Sequence, residues 1–324
     1  MTTAADDARW MGAALALGER GRGRTAPNPC VGCVIVREGR VVGRGWTQPG
    51  GRPHAEAMAL AQAGDSARGA TAYVTLEPCS VRGGRGPACA DLLVEAGVAR
   101  VVAGTQDPFP KIDGRGFERL SEAGITVATG CRTDDAEASM RGFLTRQRLG
   151  RPAVTLKLAT SLDGRIALAS GESRWITGPQ ARAHTHLERA RADAILVGRG
   201  TWLVDKPRLD VRLPGLEDRT PQRIMLTRGE APEGWRTIAN PADIAALEGI
   251  NDVMIEGGAA TAAAFLAADL VDRLLLYRAP ILLGAGKAAL GDFGLAALAD
   301  AHGRWRLFDS RMLGSDRLDA YVRG

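Results

Sequence analysis

Along this chain the spacing of apolar residues alternates between a helical period and the short runs of strands. Met11, Ala14, Leu15 and Gly18 fall on one helical face behind Asp6 and Asp7, which are placed to cap a first helix. After a Gly/Arg/Pro loop over 20–29, two apolar runs, 31–36 and 40–45, flank Glu38-Gly39 as the arms of a hairpin flank its turn. Pro53 opens a helix, and the pattern then alternates: strand 72–76, helix 90–96, strand 100–103, helix 116–123, strand 125–128 and helix 134–148. Such alternation predicts a layered α/β domain with a largely parallel second half. Gly150-Arg151-Pro152 breaks the last helix before a fresh strand over 153–158, so two domains are expected, 1–148 and 151–324. The second is expected to hold a helix over 178–191 and strands over 194–197, 223–226 and 253–256. The last strand runs through Gly257-Gly258 into a helix over 259–268, an arrangement able to cradle a phosphate.

Composition acts mainly by exclusion. The 324 residues suffice for two cores, and 45% hydrophobic with 24% charged residues is ordinary for a soluble globular protein. With no run of eighteen apolar residues and no basic-then-apolar leader, a cytoplasmic protein without a membrane partner is expected. The net charge of +5 comes from 42 basic and 37 acidic residues with no dense basic block, and aromatics make up only 5%. A nucleic-acid binder calls for a concentrated basic stripe with stacking aromatics, so the expected partner is a small anionic molecule and not nucleic acid. Five cysteines, an odd number, argue for reduced thiols. Cys30 and Cys33 form a C-x-x-C, but inside an apolar run where period two turns positions three apart to opposite faces, so core packing is expected of them.

The chemistry concentrates between Pro53 and Cys89. His54, Cys79 and Cys89 are one imidazole and two thiols, a soft set of three that suits tetrahedral zinc and leaves a fourth position for water. Glu56 stands beside His54 in the helix that Pro53 opens, outside the ligand set and able to move protons. An H-x-E followed by P-C marks zinc deaminases. The chain departs from that pattern in one respect, since its two cysteines are ten positions apart and not three.

Taken in order, several motifs resemble the bifunctional riboflavin-biosynthesis deaminase/reductase family. They are Asn28-Pro29, the run 31–36, His54-Ala55-Glu56, Thr75-Leu76-Glu77-Pro78-Cys79, Lys157-Leu158-Ala159, Ser161-Leu162-Asp163-Gly164, Gly171-Glu172-Ser173, Trp175-Ile176-Thr177, Asp193-Ala194-Ile195, Thr201, Asp205 and Glu256-Gly257-Gly258. The resemblance implies an α/β architecture: an N-terminal cytidine-deaminase-like zinc domain and a C-terminal dihydrofolate-reductase-like domain. It implies hydrolytic deamination of a 2,5-diaminopyrimidinone ribosyl phosphate, then NADPH-dependent reduction of the ribosyl group to ribityl. It carries the Zn2+ ligands onto His54, Cys79 and Cys89, the proton shuttle onto Glu56 and a pyrimidine contact onto Asn28. It carries NADPH contacts onto Ala159, Trp175, Thr201, Asp205 and Gly258, and substrate contacts onto Ser173, Arg189, Leu209, Arg212 and Glu256.

The chain also departs from the family. Thr47 stands where a His is common, and 80–88 replaces the common Ser-His-His-Gly-Arg-Thr-Pro-Pro loop with one a residue longer, in which Arg82 or Arg85 could supply the lost contacts. In the second half Thr227 stands where an Asp is common. Residue by residue, ordinary alternatives exist: Trp175 as a core aromatic, Arg189 as a solvated helix face, Asn28 as a turn residue between two prolines. His184 and His186, two apart on one helix, are not expected to share a metal. Rival functions are a zinc deaminase of nucleosides or RNA bases with a non-reductase binding domain, a non-catalytic zinc-stabilised protein, and a protein keeping one activity only. Oligomeric state is left open.

Overall fold

Thr3 opens the first helix, α1 (Ala4–Gly18), through a capping box: its side chain accepts the Asp6 N–H and the Asp6 carboxylate accepts the Thr3 N–H. The cap is therefore not at Asp6 or Asp7, because a threonine three residues ahead of an acid satisfies two orphan N–H groups at once. Asp7 instead receives both arms of the Arg100 guanidinium, at 2.9 and 2.7 Å, and the Tyr73 hydroxyl at 2.8 Å. The predicted stripe of Met11, Ala14, Leu15 and Gly18 is the buried face of α1.

The computed structural model describes residues 3–81 and 86–324, and the chain divides into two compact units, Met1–Gly150 and Arg151–Gly324. In the first, β1 (Gly32–Arg37) and β2 (Arg40–Trp46) form a hairpin. Its two turn residues, Glu38 and Gly39, both have positive φ, 51° and 71°, matching the twist of the arms. Then follow α2 (Ala55–Ala63), β3 (Thr71–Leu76), α3 (Cys89–Glu95), β4 (Arg100–Thr105), α4 (Arg115–Glu122) and β5 (Thr126–Ala128). The strands form one sheet in the order β2-β1-β3-β4-β5, with β1 antiparallel to both neighbours and β3, β4 and β5 parallel. The helix expected over 134–148 is two helices, α5 (Thr133–Ser139) and α6 (Arg141–Leu149). They part at Met140, which leaves helical dihedrals (φ −111°, ψ 21°) as its side chain enters the core.

The second unit contains β6 (Ala153–Thr160), β7 (Arg165–Ala167), α7 (Pro179–Ala190), β8 (Ala194–Gly198), α8 (Arg199–Asp205), β9 (Gln222–Leu226), β10 (Arg236–Ile238), β11 (Asp252–Ile255), α9 (Ala259–Ala267), β12 (Arg273–Arg278), β13 (Lys287–Ala288), β14 (Trp305–Leu313) and β15 (Asp316–Arg323). Eight strands make one sheet, β10-β9-β8-β11-β6-β12-β15-β14, parallel from β10 to β12, with β15 antiparallel to both of its neighbours; β13 and β7 pair separately. The sequence pattern predicts β6, α7, β8, β9, β11 and α9, but not β7, α8 or β10 and no element beyond α9. In a parallel sheet, the loops beyond the carboxyl ends of the strands are where ligands bind. The ends of β6, β8 and β11 gather Thr160, Gly198 and Glu256 at one such edge.

Candidate active site

In the first unit β3 and two helix starts bring the predicted ligands together. His54 is the N-cap residue of α2, one position ahead of the first turn where the sequence placed it. Cys79 follows β3 after Glu77-Pro78, and Cys89 is the first residue of α3, donating its N–H to the Cys79 sulfur at 3.4 Å. His54 Nδ1 lies 3.3 Å from Cys89 Sγ and 3.5 Å from Cys79 Sγ, and the donor atoms of all three residues fall within 4.8 Å of one another. Tetrahedral zinc with bonds of about 2.3 Å to sulfur and about 2.0 Å to nitrogen sets N–S edges of roughly 3.5 Å, so the donor set fits the metal in type and spacing. Among the described residues this is the one His/Cys/Asp/Glu group so arranged. Cys79 is the acidic sulfur, lowered to about 4 by the Cys89 thiol that shares its proton, against burial and with help from His54. Thiolate character of this kind is what a metal ligand needs.

Glu56 lies in the first turn of α2, 3% exposed and outside the ligand set. Burial raises its carboxyl to about 6, with His54 opposing the rise. Glu77, a motif residue given no role from the sequence, is a clamp. Its carboxylate accepts the N–H groups of Asp107 (3.2 Å), Gly114 (3.0 Å) and Gly116 (2.8 Å), pinning the segment 107–116 beside the ligands. Gly116 permits this approach, since a Cβ there would stand 2.0 Å from the Pro78 carbonyl oxygen.

A cavity of about 400 Å³ opens beside His54, Glu56 and Cys79. Asn28 lines it, with its Nδ2 donating to the Gly51 carbonyl at 2.8 Å. Thr47 lines it too, its hydroxyl oxygen accepting the Val31 N–H at 3.0 Å. Arg52, Asp107 and Phe109 also stand on the wall, and none of them was singled out from the sequence. Their only signal was proximity to His54 and to the end of a strand. Burial raises the Asp107 carboxyl to about 6. Arg82 and Arg85, the proposed substitutes for the family's loop contacts, lie outside the described residues. Cys33 is fully buried in β1 and Cys30 donates to the Ser139 carbonyl at 3.4 Å, so both are core residues, apart from the ligand set.

In the second unit the predicted residues sort into two groups. Glu256, just past β11, accepts both Arg189 Nε (2.5 Å) and Nη2 (3.0 Å) and lies 3.6 Å from Lys157 Nζ on β6. Burial works against its charge, yet Arg189 and Lys157 hold its carboxylate down to about 2. Arg189 also donates to the Asp210 carbonyl at 2.9 Å, and its side chain is only 12% exposed. It is no solvated face. Leu209 beside that carbonyl is buried at φ 53°, while Arg212 is half exposed, 3.5 Å from the Asp210 carboxylate. His184 and His186 go separate ways, to the Tyr277 hydroxyl and to the Asp210 carbonyl.

The other group faces the N-terminus of α9. Gly258 is its N-cap and donates its N–H to Thr201 Oγ1 on α8 at 3.1 Å. Gly198 and Gly257 both pack on Thr261, where Cβ atoms would stand 2.2 and 2.6 Å from its side chain. A glycine-lined helix N-terminus of this kind suits the phosphates of a dinucleotide. Asp205 closes α8, its carbonyl and carboxylate both held by Arg174. Trp175 is 65% exposed, with the Arg182 guanidinium 4.8 Å from its ring centre, so it is not a core aromatic. Ala159 lies near the end of β6, and Ser173 is half-buried in the loop ahead of Trp175. Among the described residues the Glu256 carboxylate pairs with Arg189 and Lys157, and not with Ser173, Leu209 or Arg212.

Residues 4–105 match the cytidine and deoxycytidylate deaminase zinc-binding region, and residues 152–318 match the RibD C-terminal domain. The riboflavin biosynthesis protein RibD of Escherichia coli K12 is 44% identical over 96% of this chain and 97% of its own length; that of Mycobacterium tuberculosis H37Rv is 41% identical over 96% of each. The solved structure of Acinetobacter baumannii RibD superposes with a TM-score of 0.90 at 37% identity, covering 99% of this chain and 100% of that one. A Thermotoga maritima structure, described as a diaminohydroxyphosphoribosylaminopyrimidine deaminase/5-amino-6-(5-phosphoribosylamino)uracil reductase, superposes at 0.90 with 31% identity over 99% of both chains. Matched in both halves and along nearly its whole length, the chain belongs to the RibD family of riboflavin biosynthesis proteins, a zinc deaminase domain of cytidine-deaminase-like fold followed by an NADPH-dependent reductase domain of dihydrofolate-reductase-like fold.

Proposed function

We propose that the first unit hydrolyses the ring amino group of 2,5-diamino-6-(ribosylamino)pyrimidinone 5'-phosphate and that the second reduces the ribosyl group of the product to ribityl with NADPH. The observation that carries this reading is the His54, Cys79 and Cys89 triangle with the buried Glu56 carboxyl beside it. Zinc held by those three residues supplies Lewis acidity that makes water a nucleophile near neutral pH. Glu56 then does the proton work: its carboxylate takes a proton from the attacking water and delivers it to the departing amine, so ammonia leaves neutral. Asn28, on the cavity wall, orients the pyrimidine. The Glu77 clamp keeps the segment 107–116 closed against the ring and excludes bulk water.

In the second unit NADPH supplies the hydride. The Gly258 N–H and Thr201 at the start of α9, with Ala159, Trp175 and Asp205, hold the cofactor. Ser173, Leu209, Arg212 and the Lys157–Glu256–Arg189 group hold the substrate, with Arg189 acting through Glu256 as a positioning residue. A nucleoside or RNA deaminase with a passive second domain is not favoured, because the second unit is itself a reductase domain. A coupled assay on the zinc-loaded protein tests the whole reading. Ammonia release should precede NADPH oxidation, and NADPH should be consumed at once when the deaminated product is supplied. Ammonia without NADPH oxidation, or the reverse, would leave one activity only, and the absence of both would overturn the assignment.

A further inference from the structure

The substrate proposed above carries a phosphate, and the deaminase cavity is an unwelcoming place for one. Glu56, Glu77 and Asp107 all line it. Among its described lining residues the single guanidinium is Arg52. Burying an N–H of such a group without a partner is costly, because the donor loses water and gains nothing. Yet Arg52 Nε is buried and has no hydrogen-bond partner among the described residues.

The surroundings are built to present it. Gly51, at φ 86°, makes the turn that brings Arg52 to the cavity, and a Cβ there would stand 2.0 Å from Asn28 Nδ2, the atom that holds the Gly51 carbonyl. On the other side lies Gly86, whose missing side chain leaves the guanidinium room, since a Cβ would stand 3.1 Å from Arg52 Nη1. Thr47 does not supply a cation in place of the family's usual His. Its side chain carries no charge, and its oxygen already accepts the Val31 N–H.

We propose that Arg52 binds the phosphate monoester of the substrate in the deaminase cavity and sets the preference of that half-reaction for a phosphorylated pyrimidine. A guanidinium gives a phosphate two parallel charged hydrogen bonds, one of which would satisfy the unpartnered Arg52 Nε. This inference rests on the deaminase reading of the same cavity, and the two fail in different ways.

The test compares full-length, zinc-loaded wild type with Arg52→Ala and Arg52→Lys on the substrate and on its dephosphorylated form. A charged hydrogen bond of this type predicts that the preference for the phosphorylated form, read as the ratio of kcat/KM values, falls about ten- to hundredfold in Arg52→Ala, mostly through KM, and is partly restored in Arg52→Lys. An unchanged ratio in Arg52→Ala overturns the inference, as does an equal loss on both substrates. A second arm needs no turnover: equilibrium dialysis of inorganic phosphate, in which subtracting the Arg52→Lys and Arg52→Ala isotherms from that of wild type removes phosphate held by the reductase half. Weaker phosphate binding in the variants supports the site, and identical isotherms sink it. A wild-type enzyme that releases no ammonia from either substrate refutes the deaminase reading alone, since the dialysis result still decides for or against Arg52.

Discussion

Glu56 and Glu256 are both buried carboxylates, and their surroundings send them in opposite directions. Around Glu56, burial dominates and the carboxyl rises to about 6, a group ready to exchange protons. Around Glu256, two cations outweigh burial and it falls to about 2, a permanent anion. The first predicts that Glu56→Gln lowers deamination by about a hundredfold to ten-thousandfold while zinc content and NADPH oxidation on the deaminated product stay as in wild type. Near-native ammonia release in that variant would mean another group carries the proton. The second is a stability statement. Glu256→Gln leaves Arg189 and Lys157 buried without their anion, which costs about 3–5 kcal/mol at neutral pH. Because the folded pKa lies below the unfolded value, the stabilisation is present in full above about 4.5 and fades as pH falls through about 2. Urea melts of both proteins across that range should converge at the acid end, and a gap that widened on acidification would contradict the assignment.

Elements carry the site through their ends. His54 precedes the first turn of α2, Cys89 begins α3 and Cys79 follows β3, so each ligand sits where backbone geometry is set by a helix or strand behind it. This is why the triangle of donors was legible in the sequence: a motif at an element boundary survives small errors in where the boundary lies. Asp107 and Phe109 were not, because sheet order and the Glu77 clamp bring them to the site, and neither is written in local spacing; Arg52, two residues ahead of His54, and Lys157, in a motif of its own, carried no sign of their role. The strands beyond α9 escaped for a different reason. Residues 305–313 of β14 are exposed or half-exposed throughout, and in β15 the alternation of Leu318, Ala320 and Val322 is masked by the buried acids Asp316 and Asp319, which read as turn or surface residues in the sequence. The clamp makes a prediction of its own. Glu77→Ala strands the N–H groups of Asp107, Gly114 and Gly116, at about 1–3 kcal/mol for a buried donor left unmade. Their amide exchange should quicken by roughly five- to a hundredfold, with zinc retained and deamination slowed. Unchanged protection at Gly114 and Gly116 would show that the segment is held by something else.

At the scale of the molecule, the chain is two units with separate sheets and separate cores, each matched by its own family. The proposed zinc ligands all lie in the first unit and the Glu256 and Gly258 groups in the second, and among the described residues no such metal-holding group occurs in the reductase half. That separation has a consequence for the whole enzyme. One zinc is expected per chain, and its removal should stop the first reaction without touching the second. Because thiolate ligands compete with protons for the metal, stripping by chelator should become easier as pH falls. The stripped full-length protein should release no ammonia from the diaminopyrimidinone, yet still oxidise NADPH when given the deaminated product, at close to the wild-type rate. Cys89→Ser should do the same by mutation, since it removes one of three ligands while leaving Gly258, Thr201 and Glu256 untouched. Elemental analysis alongside the two assays decides the matter. Full zinc content in Cys89→Ser would remove Cys89 from the ligand set, and loss of NADPH oxidation together with zinc would show that the two halves do not work independently.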